Sequence, residues 1–160
     1  MHLPYIRKVF GADIKLVPLM IGSLPAKTLP HYAKALLTLF QDPKTAFIVS
    51  SDFCHWGCDF EYTFRFKDEP TLYKSIEKLD RRAFEAIESH SVKTFRHYLD
   101  ETENTICGQE PILLLLAIIE QAQVSGQMYE TKFVKYDQSE QITSEEECSV
   151  SYGASYTILK

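Results

Sequence analysis

Eight consecutive apolar residues, Ile112-Leu113-Leu114-Leu115-Leu116-Ala117-Ile118-Ile119, constrain how this chain can fold. The run falls far short of the ~20 residues that span a bilayer. A helix that is apolar all round must be covered on every side. Pro111 suits the first turn of that helix and Gly126 its end, so it is expected to run from Pro111 to about Val124. The other elements must therefore wrap around it. With 160 residues the chain is long enough to do so as one domain, residues 1–160.

The remaining pattern supplies the wrapping. Ile14 to Ile21 is a β-type run ended by Gly22, and Pro30 to Gln41 carries Ala33, Leu36, Leu37 and Phe40 at helical spacing. After the Asp42-Pro43 break, Ala46 to Val49 reads as a buried strand, followed by a loop to about Tyr62. A helix opens at Glu69-Pro70-Thr71 and runs to about Ser89, with Leu72, Ile76, Leu79, Ala83 and Ile87 as its stripe. Ser91 is a natural N-cap for a short helix to about Leu99, and Asn104 to Gln109 is a loop. Glu130 to Tyr136 alternates weakly. Val150, Tyr152, Ala154, Tyr156 and Ile158 alternate strictly and should share one sheet face. Glu145-Glu146-Glu147 reads as a solvated turn. The order β-α-β-α-α-α-β-β predicts an α/β layered domain, with helices packed on a mixed sheet.

Charge and cysteine usage narrow the function. The net charge is −5, and no Lys/Arg cluster is long enough to track a phosphate backbone; Arg81-Arg82 falls inside a helical pattern. Nucleic-acid binding and membrane insertion are not expected. The four cysteines, Cys54, Cys58, Cys107 and Cys148, stand in a chain whose first residues lack signal-peptide character. They read as free thiols in a reducing compartment, the cytosol and also the nucleus.

Chemistry concentrates in Ser50-Ser51-Asp52-Phe53-Cys54-His55-Trp56-Gly57, directly after the apolar run Ala46 to Val49. Polar side chains at the carboxyl end of a buried strand mark the usual place of a site in α/β sheets. Asp52 and His55 can form an oriented imidazole or share a metal. They fit equally well as a turn cap and a His bonded to backbone. Cys54, His55 and Cys58 do not make a closed zinc site, because no second close pair exists. Cys107 sits in Asn104-Thr105-Ile106-Cys107-Gly108 ahead of a helix N-terminus, where the dipole favours thiolate, the metal-binding form. A buried, inert thiol fits that position as well. Gly108 leaves room for a ligand to approach. Phe60, Trp56, Tyr62 and Phe64 either line a pocket beside Asp52 and His55 or belong to the core. Asp52, His55 and Cys107 each stand at an element end, so they are expected on one rim although Asp52 and Cys107 are 55 positions apart.

Together, Met1-His2-Leu3-Pro4-Tyr5, the Ser50 to Gly57 octapeptide, Tyr73 to Asp80, Asn104 to Gly108 and Ser149-Val150-Ser151-Tyr152 resemble the Memo family, named for mediating receptor-tyrosine-kinase-driven cell motility. The resemblance covers a little over half of such a protein, its C-terminal part, and implies an N-terminal truncation. It implies a fold similar to class III non-haem-iron extradiol dioxygenases, with αβα layers. It further implies a vestibule holding iron or copper, in which Cys107 corresponds to the family's cysteine ligand and Asp52 and His55 line the same space. The family's two other ligands, both histidines, have no counterpart in this sequence, and His2 belongs to a different motif. Copper-dependent redox chemistry is implied for the complete family fold, with this chain expected inactive alone. The other implied role is that of a non-enzymatic adaptor for phosphotyrosine peptides of activated receptors. A chain missing part of such a sheet is expected to expose an apolar face and to be unstable or to associate.

Overall fold

A computed structural model describes residues 2–160. It contains five helices and three strands among the described residues: α1 Leu3–Phe10, α2 Leu29–Phe40, β1 His55–Trp56, α3 Leu72–Glu88, α4 Val92–Thr102, α5 Gln109–Val124, β2 Tyr129–Gln138 and β3 Ser149–Leu159. A single 3-10 turn, Cys58–Phe60, follows β1. Among the described residues no helix is long and apolar enough to cross a membrane.

α5 is the centre, as its composition requires. Within Ile112–Ile119 every residue but Leu115 is buried. α2 covers it with Leu29 and Ala33, both buried, and α4 packs against it with Phe95. α3 presents Leu72, Ile76, Leu79, Ala83 and Ile87 to the core, the stripe expected from its spacing. Ser91 caps α4 by accepting a hydrogen bond from the Thr94 N–H at 3.2 Å, and the helix runs three residues past the expected end at Leu99.

The sheet is small and antiparallel, ordered β1-β3-β2, where a mixed sheet was expected. Neither Ile14–Ile21 nor Ala46–Val49 forms a strand. Both runs have strand composition, but a strand exists only with a neighbour to satisfy its backbone groups. Phe47 and Val49 still pack against the core, whereas Val17 and Met20 are wholly or largely exposed. The strand that does form, β1, lies inside the expected signature loop and pairs His55 with Val150 and Trp56 with Ser149. α1 was not expected either. Pro4 in its first turn, basic Arg7 and Lys8 in its last, and Gly11 at φ 77° as its stop are ordinary helix signals, but it buries no residue.

Val150, Tyr152, Ala154, Tyr156 and Ile158 share one face of β3 as their alternation predicts, and that face is the outer one. Ser149, Ser151 and Gly153 face the helices, and Tyr152, Tyr156 and Ile158 are 44–49% exposed. The small residues are there because of what they meet. A Cβ on Gly153 would lie 2.7 Å from Cζ of Phe84, in the stacked Phe84–Phe133 pair that Phe53 meets edge-on. A bulge between Phe133 and Lys135 lets Phe133 and Tyr136 both turn inward despite their odd spacing.

The buried carboxylate of Asp80 joins these layers. It accepts hydrogen bonds from Cys54 N–H (3.2 Å), Asn104 Nδ2 (3.4 Å), Tyr136 Oη (3.1 Å) and the Ser151 hydroxyl. Burial outweighs those four donors and raises its pKa from 3.8 to about 6. A carboxyl whose folded pKa is raised contributes stability below pH ~3.8 that is lost as pH rises through about 6. Relative to Asp80→Asn, which cannot ionise, the wild-type unfolding free energy should fall by about 3 kcal/mol across that window, measured by urea titration at successive pH values. Asp80→Ala, which strands four donors, should cost about 3 kcal/mol or more at neutral pH.

Candidate metal centre

Two segments meet at the rim beside β1. One is the octapeptide leading into β1. The other is the loop Asn104–Gly108 that feeds α5, whose N-cap is Gly108. Their backbones interlock through short side chains. The Ser51 hydroxyl accepts the Gly108 N–H at 3.0 Å and donates to Asp52 O at 2.7 Å. The Thr105 hydroxyl accepts the His55 N–H at 2.7 Å and donates to His55 O at 2.9 Å. Asp80 grips both segments from the core side, through Cys54 and Asn104. Asn104 in turn donates to Tyr98 Oη at 2.7 Å.

This interlock brings Asp52, His55 and Cys107 together. One ligand-type atom from each lies within 4.8 Å of the other two. The Asp52 N–H donates to Cys107 Sγ at 3.0 Å. Asp52 Oδ2 is 3.8 Å from His55 Nε2, too far for a hydrogen bond. That nitrogen is buried and has no hydrogen-bond partner among the described residues. A buried ring nitrogen without a partner is costly unless something else binds it. Cys107 itself is exposed, so it is not the inert buried thiol that was the other reading.

The other candidates separate cleanly. Cys54 is buried, and burial followed by the charge of Asp80 pushes its thiol up, so it stays protonated and unreactive. Trp56 is core, 1% exposed, and its Nε1 donates to Phe64 O at 2.8 Å. Tyr62 donates to Thr102 O at 2.7 Å within the core. Phe60 alone of the aromatics borders the site, its ring edge-on to His55 at 5.1 Å. The space expected beside Gly108 is filled, since a Cβ there would lie 2.4 Å from Cβ of Ser51. Ser51, Thr105 and Asp80 had no role in the sequence reading. All three stand inside the family-like motifs, but only their partners, distant in sequence, give them meaning.

A sequence model of the family described as "Memo-like protein" matches residues 1–156. The chain belongs to the Memo family. It is 38% identical over 157 residues to Protein MEMO1 of Rattus norvegicus, covering 96% of this chain and 53% of that protein. It is 36% identical over 162 residues to Protein MEMO1 of Xenopus laevis, covering 99% and 54%. It is 36% identical over 157 residues to the Protein memo-1 homolog of Caenorhabditis elegans, covering 96% and 45%. This Memo-family chain thus spans about half the length of the curated relatives it matches.

The tight contact at Gly108 supplies a test of the interlock in the Memo chain. Gly108 has φ −98°, so alanine is permitted by the backbone and objectionable only for its methyl group. Gly108→Ala should cost about 1–3 kcal/mol through overpacking against Ser51. It should also lengthen the Asp52 N–H to Cys107 contact, read as a change in the Cys107 alkylation rate. A variant with wild-type stability and alkylation rate would show that the two segments are not held this closely.

Proposed function

We propose that this chain carries one side of a metal-binding redox vestibule in a Memo-type protein of cell-motility signalling. The supporting observation is the convergence of a thiol, an imidazole and a carboxylate within 4.8 Å, with His55 Nε2 buried and lacking a partner. Sulfur, nitrogen and oxygen donors in one small cluster suit copper or iron better than a hard cation such as magnesium. The metal, when bound, supplies one-electron chemistry.

The residues divide the work. Cys107 offers its sulfur, which accepts the Asp52 N–H and stands close to the N-terminal end of α5. His55 offers Nε2 from a ring whose backbone is clamped on both sides by Thr105. Asp52 adds a carboxylate that partly balances the cation's charge. Phe60 shields one side of His55 from water. Three donors leave positions for further ligands from elsewhere in a longer protein and for a substrate. We read the αβα, extradiol-dioxygenase-like architecture as that of the complete family fold; the exposed outer face of β3 is a surface a further layer would cover.

A nucleophilic Cys–His–Asp arrangement is less well supported. Its acid must hydrogen-bond and orient the imidazole, whereas Asp52 stands 3.8 Å from His55 Nε2. The adaptor role for phosphotyrosine peptides rests on the family resemblance. The charge presented by the three clustered residues is the Asp52 carboxylate, which repels a phosphate.

The test is a cobalt(II) titration, in which a thiolate ligand announces itself by an intense near-ultraviolet charge-transfer band. The chain should bind weakly, with that band. Cys107→Ser should abolish the band, His55→Ala should weaken binding by roughly tenfold or more, and Cys58→Ser should change neither. Binding that survives Cys107→Ser would remove Cys107 from the centre.

A further inference from the structure

Two cysteines remain outside the vestibule and outside the core. Cys58 is exposed, opening the 3-10 turn that carries Phe60. Cys148 is half-buried, directly ahead of β3. The register brings them close. Trp56 pairs with Ser149, so continuing the antiparallel ladder by one step sets Gly57 opposite Cys148.

Contacts at Gly57 confirm that placement. A Cβ built on Gly57 would lie 2.6 Å from Cys148 Sγ and 3.0 Å from Cys148 Cα. Cys148 thus presses its sulfur onto the residue adjoining Cys58, and Gly57, at φ 124°, is the residue that can accept it. Adding one Cα–Cβ bond sets Gly57 Cα within about 4.5 Å of Cys148 Cα. Cys58 Cα lies one peptide further, about 3.8 Å along the chain. The Cys58 and Cys148 Cα atoms are therefore at most about 8 Å apart, and roughly 6 Å where the two steps meet at a right angle, a separation that a disulfide bridges. Cys58 already points toward the segment leading into Cys148, since its Sγ lies 3.9 Å from Glu145 O. That segment, residues 143–147, is an exposed turn whose internal bonds run from the Thr143 and Ser144 N–H groups to the Glu147 carboxylate, so it can move as a unit to complete the approach.

We propose that Cys58 and Cys148 form a redox-sensitive pair that closes into a disulfide at the edge of the vestibule. The oxidant is a peroxide. The thiolate of one cysteine attacks a peroxide oxygen, the O–O bond breaks, and a sulfenic acid and one water result. The second thiolate attacks the sulfenic sulfur, the S–S bond forms, and the oxygen leaves as a second water. Two thiols lose two electrons and two protons, and hydrogen peroxide becomes two waters. A dithiol reverses the reaction by exchange. Cys54 does not compete, being buried with its thiol pushed up.

Closure acts on the site through Phe60. The disulfide ties the 3-10 turn to the start of β3 and holds the Phe60 ring in its edge-on position against His55. The oxidised chain therefore keeps the Phe60 ring against His55, where the reduced chain leaves the turn free to swing away. This gating consequence rests on the vestibule reading; the bond itself does not.

The experiment uses the metal-free chain treated with stoichiometric hydrogen peroxide, followed by non-reducing peptide mapping by mass spectrometry. A peptide joining Cys58 to Cys148, lost on dithiothreitol treatment, is expected. Cys58→Ser and Cys148→Ser should each abolish it, and Cys107→Ser should leave it. Oxidation that yields sulfinic acids, intermolecular dimers or a link from Cys58 to Cys107 in place of that peptide would overturn the pair. The second measurement is the alkylation rate of Cys107 by iodoacetamide, expected to fall about threefold or more in the oxidised chain. An unchanged rate would overturn the gating. Neither measurement uses metal, so failure of either is distinguishable from failure of cobalt binding at Cys107.

Discussion

The structure depends on one buried carboxylate. Asp80 lies on the inner face of α3 and collects donors from four places: the octapeptide, the loop before α5, β2 and β3. Burying a charge is expensive and is tolerated only with near-complete hydrogen bonding. The four donors supply that, yet burial still raises the acid to about 6. The return on this cost is geometric. Apolar contacts do not set register, whereas four directional bonds to one carboxylate hold two functional segments and two strands at fixed positions around α3. The candidate metal cluster is a consequence of that arrangement, standing just in front of the two segments that Asp80 holds from behind.

The cluster's second determinant is closeness. Gly108 and Ser51 approach so nearly that no side chain fits between them, and the Thr105 hydroxyl closes a reciprocal pair with the backbone of His55. These small residues bring Cys107 Sγ within 3.0 Å of the Asp52 N–H. The three functional side chains make few side-chain bonds of their own. His55 Nε2 has none. Rigid backbone with unspent side chains is what a ligand site requires, because binding then costs little further ordering.

The two faces of β3 show how composition misleads when packing is crowded. Tyr152, Tyr156 and Ile158 would ordinarily be assigned inward by hydrophobicity. The inner face is already filled by Phe53, Phe84 and Phe133, so the strand can lie there only with serine and glycine beneath it. The aromatic face turns outward, leaving an apolar surface of a kind that soluble domains usually cover. Ile14–Ile21 and Ala46–Val49 likewise have the composition of strands but no strand neighbour among the described residues.

Local periodicity by itself determined α2 to α5, to within three residues at each end, because a 3.6-residue stripe and a capping serine are properties of adjacent residues; α1, which buries nothing, left no such stripe. It also marked Asp52, His55 and Cys107, since carboxylate, imidazole and thiol carry their chemistry wherever they lie. Family membership was legible for the same reason, in short motifs kept in order. Tertiary structure alone decided which face of β3 is inside, that β1 forms at His55–Trp56 and not at Ala46–Val49, and that Gly108 is small to admit Ser51 and not a ligand. It alone revealed Asp80 as the joint between segments 24 and 26 positions away on either side. Those facts depend on partners distant in sequence, and no local pattern records how much space another segment leaves.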